Sequence, residues 1–135
     1  MKRGGLATIL MLLAVCLFAT VGWMLFMGSL NSQVTTITFR VSGSIDEVLI
    51  YRETDPSTPV EVIRTQGRDL VYKVKLPKAA NRNWLVQSPP AHYFFVTRSG
   101  EREYRSPQFC CQVGMKPEQY ILKIHSLDNW EIANE

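Results

Sequence analysis

From Leu6 to Met27 the chain runs for 22 residues without a charged side chain. As a helix rising about 1.5 Å per residue this run is about 33 Å long, enough to cross a hydrocarbon core of about 30 Å. Inside a bilayer a helix is the only single segment that satisfies its own backbone groups. The sequence therefore predicts a membrane-spanning signal-anchor helix over 6–28. Lys2 and Arg3 precede it, and cations beside a first span remain on the cytoplasmic side. Trp23 lies late in the run, where an interfacial aromatic anchor is expected. The expected organisation is a basic start at 1–5, the span, a linker at 29–33 and an outward domain over 34–135. Such a chain sits most simply in a bacterial inner membrane, facing the periplasm.

A cleaved signal peptide is the competing possibility. Its apolar core is about 7–15 residues long and ends at small residues. Thr20-Val21-Gly22 is the best cleavage candidate, yet the apolar run continues through Trp23 to Met27. Length therefore favours a retained anchor. Cys16, in mid-span, is expected to act as a small apolar filler.

Of the 15 basic side chains, two precede the span, so the remainder carries 13 against 12 acidic ones. A near-neutral domain has no electrostatic footprint for nucleic acid, and that partner class is set aside.

Beyond the span the pattern changes to period two. In "TTITFRV" Ile37, Phe39 and Val41 face one way, and Thr36, Thr38 and Arg40 the other. "DEVLIYRE" sets Val48 and Ile50 on one face and Leu49 and Tyr51 on the other, so both faces are expected to be covered. "VEVIR", "DLVYKVKL", "NWLVQ", "HYFFVTR", "EREYRS", "QFCCQ" and "QYILKIH" follow, separated by Gly, Pro, Ser and Asp. "DNWEIANE" suits a short helix or a last strand. Short strands at regular spacing predict an all-β fold, a small antiparallel sandwich (immunoglobulin-like) or barrel of about seven to nine strands. Within it, "YFFVTRSGEREYRS" reads as a hairpin turning at Ser99-Gly100. That register pairs Arg98 with Glu101, Phe95 with Tyr104 and Val96 with Glu103, and places Tyr93, Phe95 and Tyr104 on the core side.

"ITFRVSGSIDEVLIYRE", Ile37 to Glu53, resembles the first two strands of the small mycobacterial membrane-anchored proteins that assist large lipid exporters. Those also have one amino-terminal span and a small outer β-sandwich. The resemblance covers about seventeen residues of strand-turn-strand and holds no chemically specific motif, so it carries no function or site residue with it.

Cys110 and Cys111 are adjacent, in a domain expected to face an oxidising compartment where disulfides persist. In a strand the two thiols would point to opposite faces. A vicinal disulfide is the first expectation. Free thiols, an intermolecular bridge, and a metal or redox site are the alternatives. The two-residue spacing of a redox motif is absent. A tetrahedral metal site would need His92 and His125 brought alongside both cysteines.

"VYKVKLPKAANR" is the one basic stretch. Lys73 and Lys75 share a strand face, and Lys78 and Arg82 fall in the loop beyond. They could meet anionic headgroups or an acidic partner. A solvated or protected sheet edge is the plainer account. His92 suits a strand edge, His125 alternates with Lys123 and is expected to be exposed or half-exposed, and the serines show no triad spacing. No phosphate-binding or calcium-binding loop occurs.

The expected role is thus non-catalytic and cofactor-free: a single-pass accessory or binding module that holds or senses a partner at the outer face of the membrane. The expected partners are the lipid bilayer and another membrane or periplasmic protein, with a second copy of the chain as a further candidate. Two other roles stay open. One is a tethered thiol-redox or metal-binding protein using Cys110 and Cys111. The other is a small-ligand binder with its pocket between the sheets.

Overall fold

The computed structural model describes residues 3–81, 84–109 and 118–134. Among the described residues one helix, α1 (Arg3–Asn31), is followed by eight strands. They are β1 (Val34–Val41), β2 (Glu47–Arg52), β3 (Glu61–Arg64), β4 (Leu70–Pro77), β5 (Tyr93–Ser99), β6 (Arg102–Arg105), β7 (Glu118–Ile124) and β8 (Trp130–Asn134). The helix continues into the segment expected as a linker at 29–33, ending at Asn31, and two residues separate it from β1.

α1 is long and apolar enough to cross a membrane. Its apolar side chains, from Leu6 to Phe26, are exposed around the whole circumference. The hydroxyls of Thr8 and Thr20 each donate back to a carbonyl four residues earlier, Gly4 and Cys16, at 2.8 Å. This back-bonding satisfies them without an outside partner. Ser32 donates to the Ser29 carbonyl at 3.0 Å and helps close the last turn.

The strands form two four-stranded sheets, ordered β4-β1-β7-β8 and β3-β2-β5-β6. β1 runs antiparallel to β4, with Val34 opposite Pro77 and Val41 opposite Leu70. It runs parallel to β7, with Val41 opposite Ile124. The second sheet is antiparallel throughout. Period-two patterning explains the layering, because each strand sends one row of side chains inwards. Ile37, Phe39 and Val41 of β1, Val74 and Leu76 of β4, and Leu122 and Ile124 of β7 meet Val48, Ile50, Ile63, Tyr93 and Phe95 from the other sheet in one buried cluster. Both faces of β2 are covered, as its sequence predicts. On the outer face Leu49, Phe94 and Val96 make a smaller cluster. Tyr51 stacks on Phe94 with ring centroids 5.2 Å apart, and the Arg105 guanidinium lies 3.9 Å from the Phe94 centroid.

Two local expectations are corrected. The β5–β6 hairpin turns at Gly100-Glu101, with Ser99 opposite Arg102, Arg98 opposite Glu103 and Thr97 opposite Tyr104. Gly100 has φ 60°, the left-handed value that the first position of a II′ loop demands and glycine supplies at least cost. The register is shifted by two residues from the expected one. Side chains alternate with period two, so Tyr104 keeps its predicted face while its partner changes from Phe95 to Thr97. Arg98 binds Glu103 at 2.8 Å and Glu47 at 3.1 Å instead of Glu101.

"NWLVQ" is the second correction: 84–86 is not a strand. The Leu85 and Val86 carbonyls accept from side chains of α1, not from a neighbouring strand. "DNWEIANE" resolves as the last strand, β8, paired with β7.

Candidate functional site

The most elaborated part of the surface is the junction between α1 and the β4–β5 loop. A short antiparallel clasp closes the base of this loop. Ala91 N–H donates to the Lys78 carbonyl at 2.7 Å, and Ala80 N–H to the Pro89 carbonyl at 2.9 Å. Lys78 N–H also reaches back to the Gln33 carbonyl at 2.9 Å, tying the clasp to the end of the helix.

The tip of the loop then lies along α1. Asn31 is buried, and its amide grips the loop backbone twice. Nδ2 donates to the Val86 carbonyl at 2.9 Å, and Oδ1 accepts from Ser88 N–H at 2.8 Å. One side-chain amide thereby imitates a β-bridge. Further along the helix, Trp23 Nε1–H donates to the Leu85 carbonyl at 2.8 Å. Trp23, Met27, Leu30 and Asn31 follow helical spacing and share this face, and the last three are buried.

Gly28 lies on the same face because the Trp84 ring rests against it. A Cβ built at Gly28 would stand 2.6 Å from Trp84 Cζ3. Gly28→Ala is therefore expected to displace the indole while leaving the sheets intact. Trp84 is half-exposed and can move, so the expected cost is small, within about 1 kcal/mol. A changed tryptophan emission maximum with unchanged strand circular dichroism would show it; an unchanged emission maximum would mean the ring does not sit there.

A cleft of about 350 Å³ opens beside the junction, lined by Asn31, Ser32, Val34, Arg52, Pro77, Ala79 and Ala80. Arg52 approaches it from β2, with its guanidinium 5.9 Å from the centroid of the Tyr93 ring. Tyr93 joins the two sheets there, its hydroxyl donating to the Pro77 carbonyl at 2.6 Å. Burial pushes the Tyr93 phenol above the ordinary tyrosine value, while Arg52 opposes this more weakly. Between the ordinary value, about 10, and the raised one, the unfolded chain has lost this proton and the folded chain keeps it. Stability contributed by Tyr93 is complete below pH 10 and is lost as pH rises through the raised value. Denaturant midpoints measured from pH 8.5 to 11 are expected to fall less steeply in Tyr93→Phe than in the natural chain. Equal slopes would contradict this account.

Lys73 and Lys75 are exposed on the outer face of β4, as their alternation predicts. Arg40 lies on the same face, next to Lys123 of β7. A groove of about 420 Å³ at this end of the sheet is lined by Arg40, Asp69, Leu70, Val71, Lys123 and His125, among others. Glu131 tempers the charge, 3.6 Å from Lys123 and 3.4 Å from His125. Lys78 does not belong to this surface. It is 1 % exposed, because the clasp with Ala91 carries it inwards. The expectation of a loop cation in solvent is corrected accordingly. Arg82 lies outside the described residues, as do Lys2, Cys110 and Cys111, and the Arg3 side chain is likewise not described.

His92 and His125 are both exposed and stand at opposite ends of the sheets. His92 adjoins the clasp beside α1, whereas His125 follows Ile124, opposite Val41 at the far end of β1. The structure does not bring the two imidazoles together. Among the described residues no group of three His, Cys, Asp or Glu is placed to hold a metal ion.

Sequence reasoning placed Trp23 at an interface but did not single out Asn31, Gly28 or the 84–88 segment. The available signals were an asparagine just beyond the apolar run and an uncharged Trp-Leu-Val triplet ahead of two prolines. Compared with known proteins, the chain matches no family model, no curated protein and no solved structure.

Proposed function

We propose that this chain is a single-pass membrane protein whose β domain, an immunoglobulin-like sandwich, holds a partner at the outer face of the membrane without catalysing a reaction. The observation that carries this is the junction. α1 enters the domain without a flexible linker, and Trp23 and Asn31 fasten it to the β4–β5 loop. A domain fixed to its anchor in this way presents its surfaces at a set height and angle. That geometry suits an accessory subunit more than a freely swinging enzyme head. Lys2 and Arg3 ahead of the span orient the domain away from the cytosol. The exposed face carrying Lys73, Lys75, Arg40 and Lys123 is the partner surface, suited to an acidic protein.

The test is co-purification of the tagged full-length chain after mild detergent extraction and cross-linking. A specific membrane or periplasmic protein is expected, and it is expected to be lost in Lys73→Glu/Lys75→Glu while strand circular dichroism is unchanged. A partner-free monomer under several extraction conditions would sink the proposal. So would protection of the β domain from protease added outside intact spheroplasts.

A further inference from the structure

Outside α1, large apolar side chains exposed in the described residues are scattered singly or in pairs, with one exception. Trp84, Leu85 and Val86 are consecutive, 48 %, 57 % and 58 % exposed, and lie against the helix. We infer that this segment of the β4–β5 loop enters the lipid leaflet on the domain's side, next to the last turns of α1, so that the domain is held to the bilayer at two points. This rests on α1 being a membrane span.

Three observations favour lipid over water as the surroundings of this loop. The first is depth. Leu85 is bonded to Trp23, which lies about 12 Å back from Asn31 along the helix axis and inside the apolar run ending at Met27. If that run spans the hydrocarbon, Trp23 and the loop tip both lie near its outer boundary, the level where tryptophan rings concentrate. The second is backbone satisfaction. Irregular backbone at membrane depth is tolerated only where protein groups replace water. Here the Leu85 and Val86 carbonyls and Ser88 N–H are met by Trp23 and Asn31 side chains. In water the same groups would need no such partners. The third is composition. No charged residue occurs from Trp84 to Ala91, and the exposed side chains of α1 at the level of Trp23, among them Val21, Leu25 and Phe26, are apolar as well. Burial of three apolar side chains is the driving term, and the three backbone groups already paired to α1 add no desolvation penalty of their own.

The experiment uses the full chain reconstituted in phosphatidylcholine–phosphatidylglycerol vesicles whose acyl chains carry bromine. The emission contributed by Trp84 is read as the difference between the natural chain and Trp84→Phe. Labelling of Cys16 by a membrane-impermeant maleimide, located by peptide mapping, reports separately on α1. The expected result is loss of the Trp84 emission in brominated vesicles, no loss with aqueous iodide, and an unlabelled Cys16. Leu85→Asp/Val86→Asp leaves the helix bonds and strand circular dichroism in place, and is expected to abolish the bromine quenching.

Iodide quenching of Trp84 with Cys16 still protected would overturn the loop insertion and leave the span standing. Protection of Trp84 from both quenchers would mean that a protein surface, a partner or a second copy, covers the loop, and would also overturn it. Unchanged bromine quenching in the double aspartate variant would overturn it too. Labelled Cys16 would remove the span and the loop insertion together.

Discussion

Phe95→Ala is expected to destabilise the β domain by about 3–5 kcal/mol, the usual cost of emptying a buried phenylalanine site. Phe95 is 0 % exposed and points inwards from the middle of β5. Its ring meets Trp130 of β8 edge-on at 5.2 Å and Phe109 at 5.9 Å, so it joins both sheets across the core. Truncation leaves a cavity between two layers that cannot both close over it. A small domain has about 5–15 kcal/mol in total. The loss is therefore a large share, and the thermal midpoint is expected to drop by about 12 °C or more. Urea unfolding of the full chain in detergent, followed by strand circular dichroism, measures it. A change below about 1 kcal/mol would mean that Phe95 does not lie between the sheets.

Asn31→Leu is expected to release the β4–β5 loop without unfolding the sheets. Both hydrogen bonds to the loop disappear, leaving the Val86 carbonyl and Ser88 N–H unpaired beside a buried helix face. Each orphaned buried group costs about 1–3 kcal/mol. The penalty falls on the local opening of 84–88, because the Ala80–Pro89 and Ala91–Lys78 bonds still close the base. Amide exchange at Ser88 should accelerate by about a hundredfold, since each 1.4 kcal/mol is a factor of ten. Strand amides should not change. Asn31→Asp separates the two bonds. It keeps an acceptor for Ser88 N–H but sets a second oxygen against the Val86 carbonyl, so Ser88 protection should survive in part. Equal exchange at Ser88 in the natural chain and Asn31→Leu would show that the amide clamp does not hold the loop.

Local signals were legible where one residue's environment follows from its near neighbours. The alternation of Ile37, Phe39 and Val41 against Thr36 and Arg40 marks β1 and its inner face, because strand geometry alone sends successive side chains to opposite sides. The paired faces of β2 were readable for the same reason. The hairpin shows the limit of such reasoning. Its core face was legible, but its turn was not, since registers two residues apart bury the same side chains and only cross-strand partners decide between them. The bonds of Arg98 to both Glu47 and Glu103 are such a decision. "NWLVQ" misled because Trp, Leu and Val carry strand propensity, while its backbone partners come from side chains about 55 to 62 positions away.

The amino-acid order alone determined one helix long and apolar enough to span a membrane, and a β-rich remainder. Both rest on periodicities of charge and hydropathy that need no distant contact. Only the tertiary structure decided the parallel contact of β1 with β7, the burial of Lys78, and the seating of Trp84 on Gly28. It alone also decided the grip of Asn31 and Trp23 on the β4–β5 loop. These depend on which segments come together in space, where the burial of shared surface and the pairing of backbone groups override the preference of any one stretch.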